Sequence, residues 1–122
     1  MSDSKKIVIV NSRGLDDERA SVAWSIANTA VASGIKTTVF LVSSGVDWGR
    51  RGAADAAQLN PLDPKMSDMI ENVITSGGEI LVCPPCAKVR GYDEDAFIDG
   101  VQIVGSPALH AQILDGATTL SF

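Results

Sequence analysis

One histidine and two cysteines stand in a chain of 122 residues, and that scarcity removes several chemistries together. A structural zinc site needs four ligands and a catalytic one needs three. Cys83, Cys86 and His110 are the obvious soft ligands, so a complete site would have to borrow carboxylates or a second subunit; no metal and no cofactor are expected. A Cys–His catalytic pair would depend on His110, which sits beside Leu109 and ahead of Ile113 and Leu114 in a helical pattern. There it reads as a partly buried helix residue rather than a base. Basic residues are also short: 10 Lys and Arg face 15 Asp and Glu, for a net charge of −5. Nucleic acids are bound through counterion release under a basic footprint, and anionic membranes select basic surfaces, so neither partner is expected.

Long apolar runs are missing as well. MSDSKKIVIVNSRG has two lysines and then only four apolar residues before Asn11. A signal peptide needs a longer hydrophobic segment, and no later run is long enough to cross a bilayer as a helix. A cytoplasmic setting is expected, where a CxxC pair rests as thiols and a structural disulfide is disfavoured. Nucleotide motifs fail too. Gly45, Gly49 and Gly52 do not follow the G-x-G-x-x-G spacing, and no P-loop occurs.

What is present is an ordinary soluble balance, 45% apolar and 20% charged, in a length that suits a single domain over residues 1–122. KKIVIV predicts a buried strand closed by Asn, Ser and Gly. LDDERASVAWSIANTAVASG predicts a helix with Ala23, Ile26, Ala27, Ala30 and Val31 at helical spacing. Its acids Asp16, Asp17 and Glu18 fall in the first turn, and Gly34 suits the left-handed position after the last. KTTVFLVSSG is a second strand, apolar through its middle as strands covered on both faces are. WGRRGAADAAQLN is weakly helical. DPKMSDMIENVITSGG predicts a helix capped by Asp63, with Pro64 first and Met66, Met69, Ile70, Val73 and Ile74 buried. EILVC is a third strand, DEDAFIDG a short helix, VQIVG a fourth strand, SPALHAQILDG a helix capped by Ser106, and ATTLSF a fifth strand. The alternation predicts one α/β domain, three layers around a mainly parallel five-stranded sheet. Ligands and chemistry gather at the carboxyl ends of such strands. The candidate loops are therefore Asn11–Gly14, Ser43–Arg51, Cys83–Gly91 and Gly105–Ser106.

One of these loops holds both cysteines, in EILVCPPCAKVRG. Each proline disfavours the helical region for its predecessor, so Cys83 and Pro84 read as extended and a helix begins at Pro85 at the earliest. Cys83 then ends the strand and Cys86 enters the first turn. Free N–H groups and the helix dipole there favour a thiolate, and Lys88 and Arg90 add positive charge. A buried, inert strand-end cysteine is the plain alternative, but two cysteines bracketing Pro-Pro at a functional edge favour chemistry. Thioredoxin-like redox activity is a rival, since CxxC is its mark. That motif follows an early strand and heads a long helix, whereas here it follows the third strand and soon meets Gly91.

Taken together, Cys83 at the end of the third strand, Arg90 and Gly91 eight residues on, and the ending VQIVGSPALHAQILDGATTLSF resemble the DsrE/DsrF-like (TusD-like) sulfur-relay family. The resemblance covers essentially the whole chain. It implies a persulfide on Cys83, exchanged with sulfur donor and acceptor proteins or small thiols, in a homotrimer or homohexamer. Cys86 departs from the pattern, because TusD-like members typically have small apolar residues there. A second thiol can attack a persulfide on Cys83, release sulfide and leave a disulfide, which suits reductive release or a dithiol sensor. Around the cysteine loop, Asn11, Arg13, Ser43, Ser44, Trp48 and Arg50 are candidates to line a pocket. Trp48 reads equally as a packing or subunit-contact residue, and Arg50–Arg51 as a solvated helix start. Three readings stand: a sulfurtransferase-like carrier, a dithiol–disulfide switch, and an oligomeric binding module with inert cysteines.

Overall fold

The β-branched runs do become strands, and all of them run the same way. In the computed structural model, which describes residues 5–122, β1 (Lys6–Asn11), β2 (Lys36–Leu41), β3 (Glu79–Val82), β4 (Val101–Ile103) and β5 (Thr118–Ser121) form one sheet. The order is β4-β3-β2-β1-β5, and every pairing is parallel. Between the strands lie α1 (Arg19–Ala32), α2 (Met66–Thr75), α3 (Pro84–Val89) and α4 (Ser106–Leu114). From β1 to β4 the chain steps in one direction, so right-handed crossovers put α1, α2 and α3 on one face. The return from β4 to β5 runs the other way and puts α4 on the opposite face, which completes the three layers.

The core lies mainly between the sheet and the first of these faces. Ile9, Val39, Leu41, Ile80 and Val82 join Trp24, Ala27, Met69, Ile70 and Val73 in one buried cluster. Each large aliphatic side chain removed from water there contributes about 1.5–3 kcal/mol. Asn28 ties the two helices: its Nδ2 donates to the Met69 carbonyl at 2.7 Å and its Oδ1 accepts from Asn72 at 2.9 Å. Among the described residues no helix is long and apolar enough to cross a membrane.

Helix starts differ from the sequence expectation, each because a local side chain or turn wins. α1 begins at Arg19, and the acids precede it rather than filling its first turn. The Asp17 carboxylate takes the Arg19 N–H at 2.9 Å and the Arg19 guanidinium at 2.8 Å. Asp63 does not cap α2. It closes a turn instead, its N–H on the Asn60 carbonyl at 3.0 Å, while the Asn60 side chain accepts from Leu62; the cap position falls to Lys65. Ser106 is the first residue of α4 and Gly105 its cap. Helix ends follow expectation better: Gly34 and Gly77 sit just past α1 and α2 with φ of +78° and +89°, where a side chain is strained. The stretch after β2 winds into 3-10 turns at Ser43–Gly49 and Ala53–Ala56.

Candidate functional site

Because all strands are parallel, the loops after β1, β2 and β3 share one edge. The ladder continues one residue past the strands: Val42 N–H donates to the Asn11 carbonyl at 3.1 Å and Cys83 N–H to the Leu41 carbonyl at 3.0 Å. Ser12, Val42 and Cys83 are therefore neighbours across the edge. Gly45 closes this floor. A methyl group there would run into the Asn11 carbonyl, so the two loops can meet only through glycine.

Cys83 is the extended residue that caps α3, with φ −63° and ψ 122°. The helix starts one residue earlier than expected, at Pro84. A residue before proline only loses preference for the helical region, and at a first helical position neither proline has an N–H to leave unsatisfied. The prolines also remove two of the N–H groups that would favour a thiolate, leaving that of Cys86. Cys83 and Cys86 are both free, half-buried thiols. Burial pushes the Cys83 thiol above its ordinary value, the adjacent Cys86 thiol adds to that, and the Cys86 N–H opposes it without closing a capping hydrogen bond. The expected activation is thus reversed at Cys83. Its cause is desolvation, and Lys88 and Arg90 do not counter it. Lys88 is exposed and forms no ion pair among the described residues. Arg90 turns its Nη1 to the Cys86 carbonyl at 3.1 Å.

Two residues that sequence reading passed over anchor this turn. The Tyr92 hydroxyl donates to Asp47 at 2.6 Å, and its N–H donates to the Ala87 carbonyl at 3.0 Å. The bond to Asp47, with partial burial, holds the Tyr92 phenol above its usual range. Arg50 lies over the Tyr92 ring at 5.3 Å, a cation–π contact rather than a solvated helix start. Phe97 meets the same ring edge-on. Signals existed: Tyr92 is the single tyrosine, directly after Gly91, and Asp47 lies in a loop at the carboxyl end of β2.

Asn11, Arg13 and Trp48 hold the first loop together. The Asn11 side chain accepts the Arg13 N–H at 2.9 Å, and the Trp48 indole donates to the Arg13 carbonyl at 2.8 Å. Trp48 is 1% exposed, so it packs inside this chain, as the packing half of its sequence reading has it. The hollow it does line, about 130 Å³, is shared with Ser67, Ile70 and Glu71 of α2, not with either cysteine. Ser44 is exposed and lies over Gly14. His110 is exposed on α4, not partly buried: the partly buried positions of this helix are Ala108, Leu109 and Gln112. Three buried donors near this edge, Asn11 Nδ2, Arg13 Nε and Arg50 Nε, have no partner among the described residues. No three His, Cys, Asp or Glu side chains among the described residues gather as a metal site.

This geometry can be set beside known proteins. The chain is 34% identical over 97 residues to the uncharacterized protein MK0008 of Methanopyrus kandleri, covering 79% of this chain and 75% of that one. It is 29% identical over 119 residues to the uncharacterized protein MJ0989 of Methanocaldococcus jannaschii, covering 97% and 99%. The crystal structure of the YchN protein of E. coli shares the fold with a TM-score of 0.79 at 23% identity, over 98% of this chain and 99% of that one. The family model described as DsrE/DsrF-like matches residues 5–122. The chain belongs to the DsrE/DsrF-like family, and membership points to a sulfur-relay type of function.

Proposed function

We propose that this protein carries sulfane sulfur as a persulfide on Cys83. The observation that supports it most is a free, half-buried thiol at the carboxyl end of β3, on the edge where parallel sheets place their chemistry. Partial burial suits a carrier: the sulfane sulfur is shielded from stray oxidants and thiols yet open to a donor. Asn11, Arg13, Ser44 and Trp48 shape the neighbouring loops, and Arg90 fixes the turn that bears both cysteines. The partners in this reading are a sulfur donor and an acceptor, protein or small thiol, in a cytoplasmic setting. A homotrimer or homohexamer, implied by the family resemblance, belongs to the same reading; light scattering that gave a monomer mass would refute it. Intact-mass analysis after incubation with a sulfane-sulfur donor tests the central claim. A gain of about 32 Da that disappears in Cys83→Ala is expected. No adduct with any donor, or one indifferent to Cys83, would end the carrier reading.

A second reading, a dithiol–disulfide switch without sulfur transfer, draws on the Cys86 thiol standing against that of Cys83. It requires a reduction potential in the range of redox proteins, about −270 to −120 mV. A pair that stays reduced under mild oxidant would exclude it.

A further inference from the structure

We propose that Cys86 is a second reacting residue of this site: it discharges the Cys83 persulfide as hydrosulfide, and the resulting disulfide calls for a dithiol reductant as partner. The inference rests on the carrier reading of Cys83 and decides what that carrier delivers. The Ala87 N–H donates to the Cys83 carbonyl at 3.1 Å, so Cys83 and Cys86 lie three residues apart on one closed helical turn. Such positions have Cα atoms about 5 Å apart, within the span that a disulfide bridges. The turn is also held shut. Two prolines stiffen its start, Arg90 grips the Cys86 carbonyl, and Tyr92 joins the Ala87 carbonyl to Asp47 across the edge. Both thiols are free, and no histidine or metal cluster among the described residues competes for them.

The step balances with these atoms alone. The Cys86 sulfur, as thiolate, attacks Cys83 Sγ; the bond from Sγ to the outer sulfur breaks, and the outer sulfur leaves with the bonding pair as hydrosulfide. It takes up the proton that the Cys86 thiol gave up, so the products are a Cys83–Cys86 disulfide and hydrogen sulfide. The sulfane sulfur is reduced by two electrons, and the two cysteines supply them. An external dithiol returns the pair to thiols by two exchange steps and ends as its own disulfide. Cys86 outruns solution thiols because a group held on the same turn acts at an effective concentration far above the millimolar range. The product is then sulfide rather than a persulfide handed intact to an acceptor.

The test loads reduced protein with inorganic polysulfide, desalts it, and follows intact mass and released sulfide. Wild type should pass from a gain of about 32 Da to a loss of about 2 Da, with close to one sulfide released per chain. Cys86→Ser should keep the added mass about tenfold longer or more and release no comparable sulfide. Cys86→Ala serves if the serine variant does not fold, and the wild-type time course decides alone if neither does. A wild type that holds its added mass as long as the variants overturns this inference and leaves the carrier reading standing. Added mass mapped to Cys86 overturns it as well. Variants and wild type that never gain mass, at alkaline as well as neutral pH, overturn the carrier reading itself.

Discussion

Cys86→Ala should make Cys83 more acidic, and the direction follows from the three influences on that thiol. Burial is the largest and raises it, the Cys86 thiol raises it further, and the Cys86 N–H lowers it. Alanine removes the second influence and keeps the first and third. An ordinary cysteine near pH 8.5 is about 3% thiolate at pH 7, and each unit upward cuts that tenfold. Cys83 in wild type therefore holds less thiolate than an unfolded peptide of the same sequence, with Cys86→Ala in between. The assay is the iodoacetamide rate at Cys83, read by peptide mass from about pH 6 to about pH 10 with that peptide in parallel. A wild-type midpoint at or below that of the peptide, or one that rises in Cys86→Ala, would refute the reasoning. Stability carries the same sign. The folded protein holds the Cys83 proton more tightly than the unfolded chain does. Stability from this group is thus full below the ordinary cysteine value and is lost as pH rises through the folded one. Cys83→Ala should flatten that alkaline slope in urea titrations.

Gly45→Ala should cost more than about 3 kcal/mol in urea unfolding, because the clash is with backbone that also bears the β1–β2 ladder. Gly34→Ala, where nothing lies within 4 Å and only positive φ is strained, should cost about 1–2 kcal/mol, and equal losses would contradict the close approach. Trp48→Phe should lose about 2–4 kcal/mol by stranding the Arg13 carbonyl and leaving a small void; an unchanged midpoint would place Trp48 outside the core. Tyr92→Phe should cost about 1.5 kcal/mol by leaving Asp47 without its phenol, and should slow disulfide closure between the cysteines if the turn loosens. Arg19 holds the Asp17 carboxyl at about 2, so that pairing stabilises the fold above the ordinary aspartate range and is lost as pH falls through about 2. Asp17→Asn should remove that part of the acid transition in a circular-dichroism titration.

The sheet was legible because its information is local. IVIV, TVFL and EILV bury both faces, and a strand needs only such a run and a stop. Glycines marked helix ends because Gly34 and Gly77 need positive φ whatever lies around them. Helix starts were less legible, since the Asn60 turn and the Asp17–Arg19 pair compete for the same polar side chains that announce caps. Within the site the same division holds. The i, i+3 placement of Cys83 and Cys86 belongs to one turn and could be read directly. The partnership of Tyr92 with Asp47 spans 45 residues and exists only once the second and third loops meet at the sheet edge. The acidity of Cys83 is of this second kind, because CPPC suggests an activated thiol while burial at the edge, which no motif encodes, makes the thiol a weaker acid. A buried thiol of low acidity is a slow first nucleophile, so a donor that binds and desolvates with the loop is a better match for Cys83 than free polysulfide in bulk water. Loading by polysulfide should therefore accelerate steeply with pH through the Cys83 titration, whereas an enzyme-bound donor that supplies its own base should load Cys83 with little pH dependence. Equal pH slopes for the two would mean that the lowered acidity of Cys83 has no part in choosing its donor.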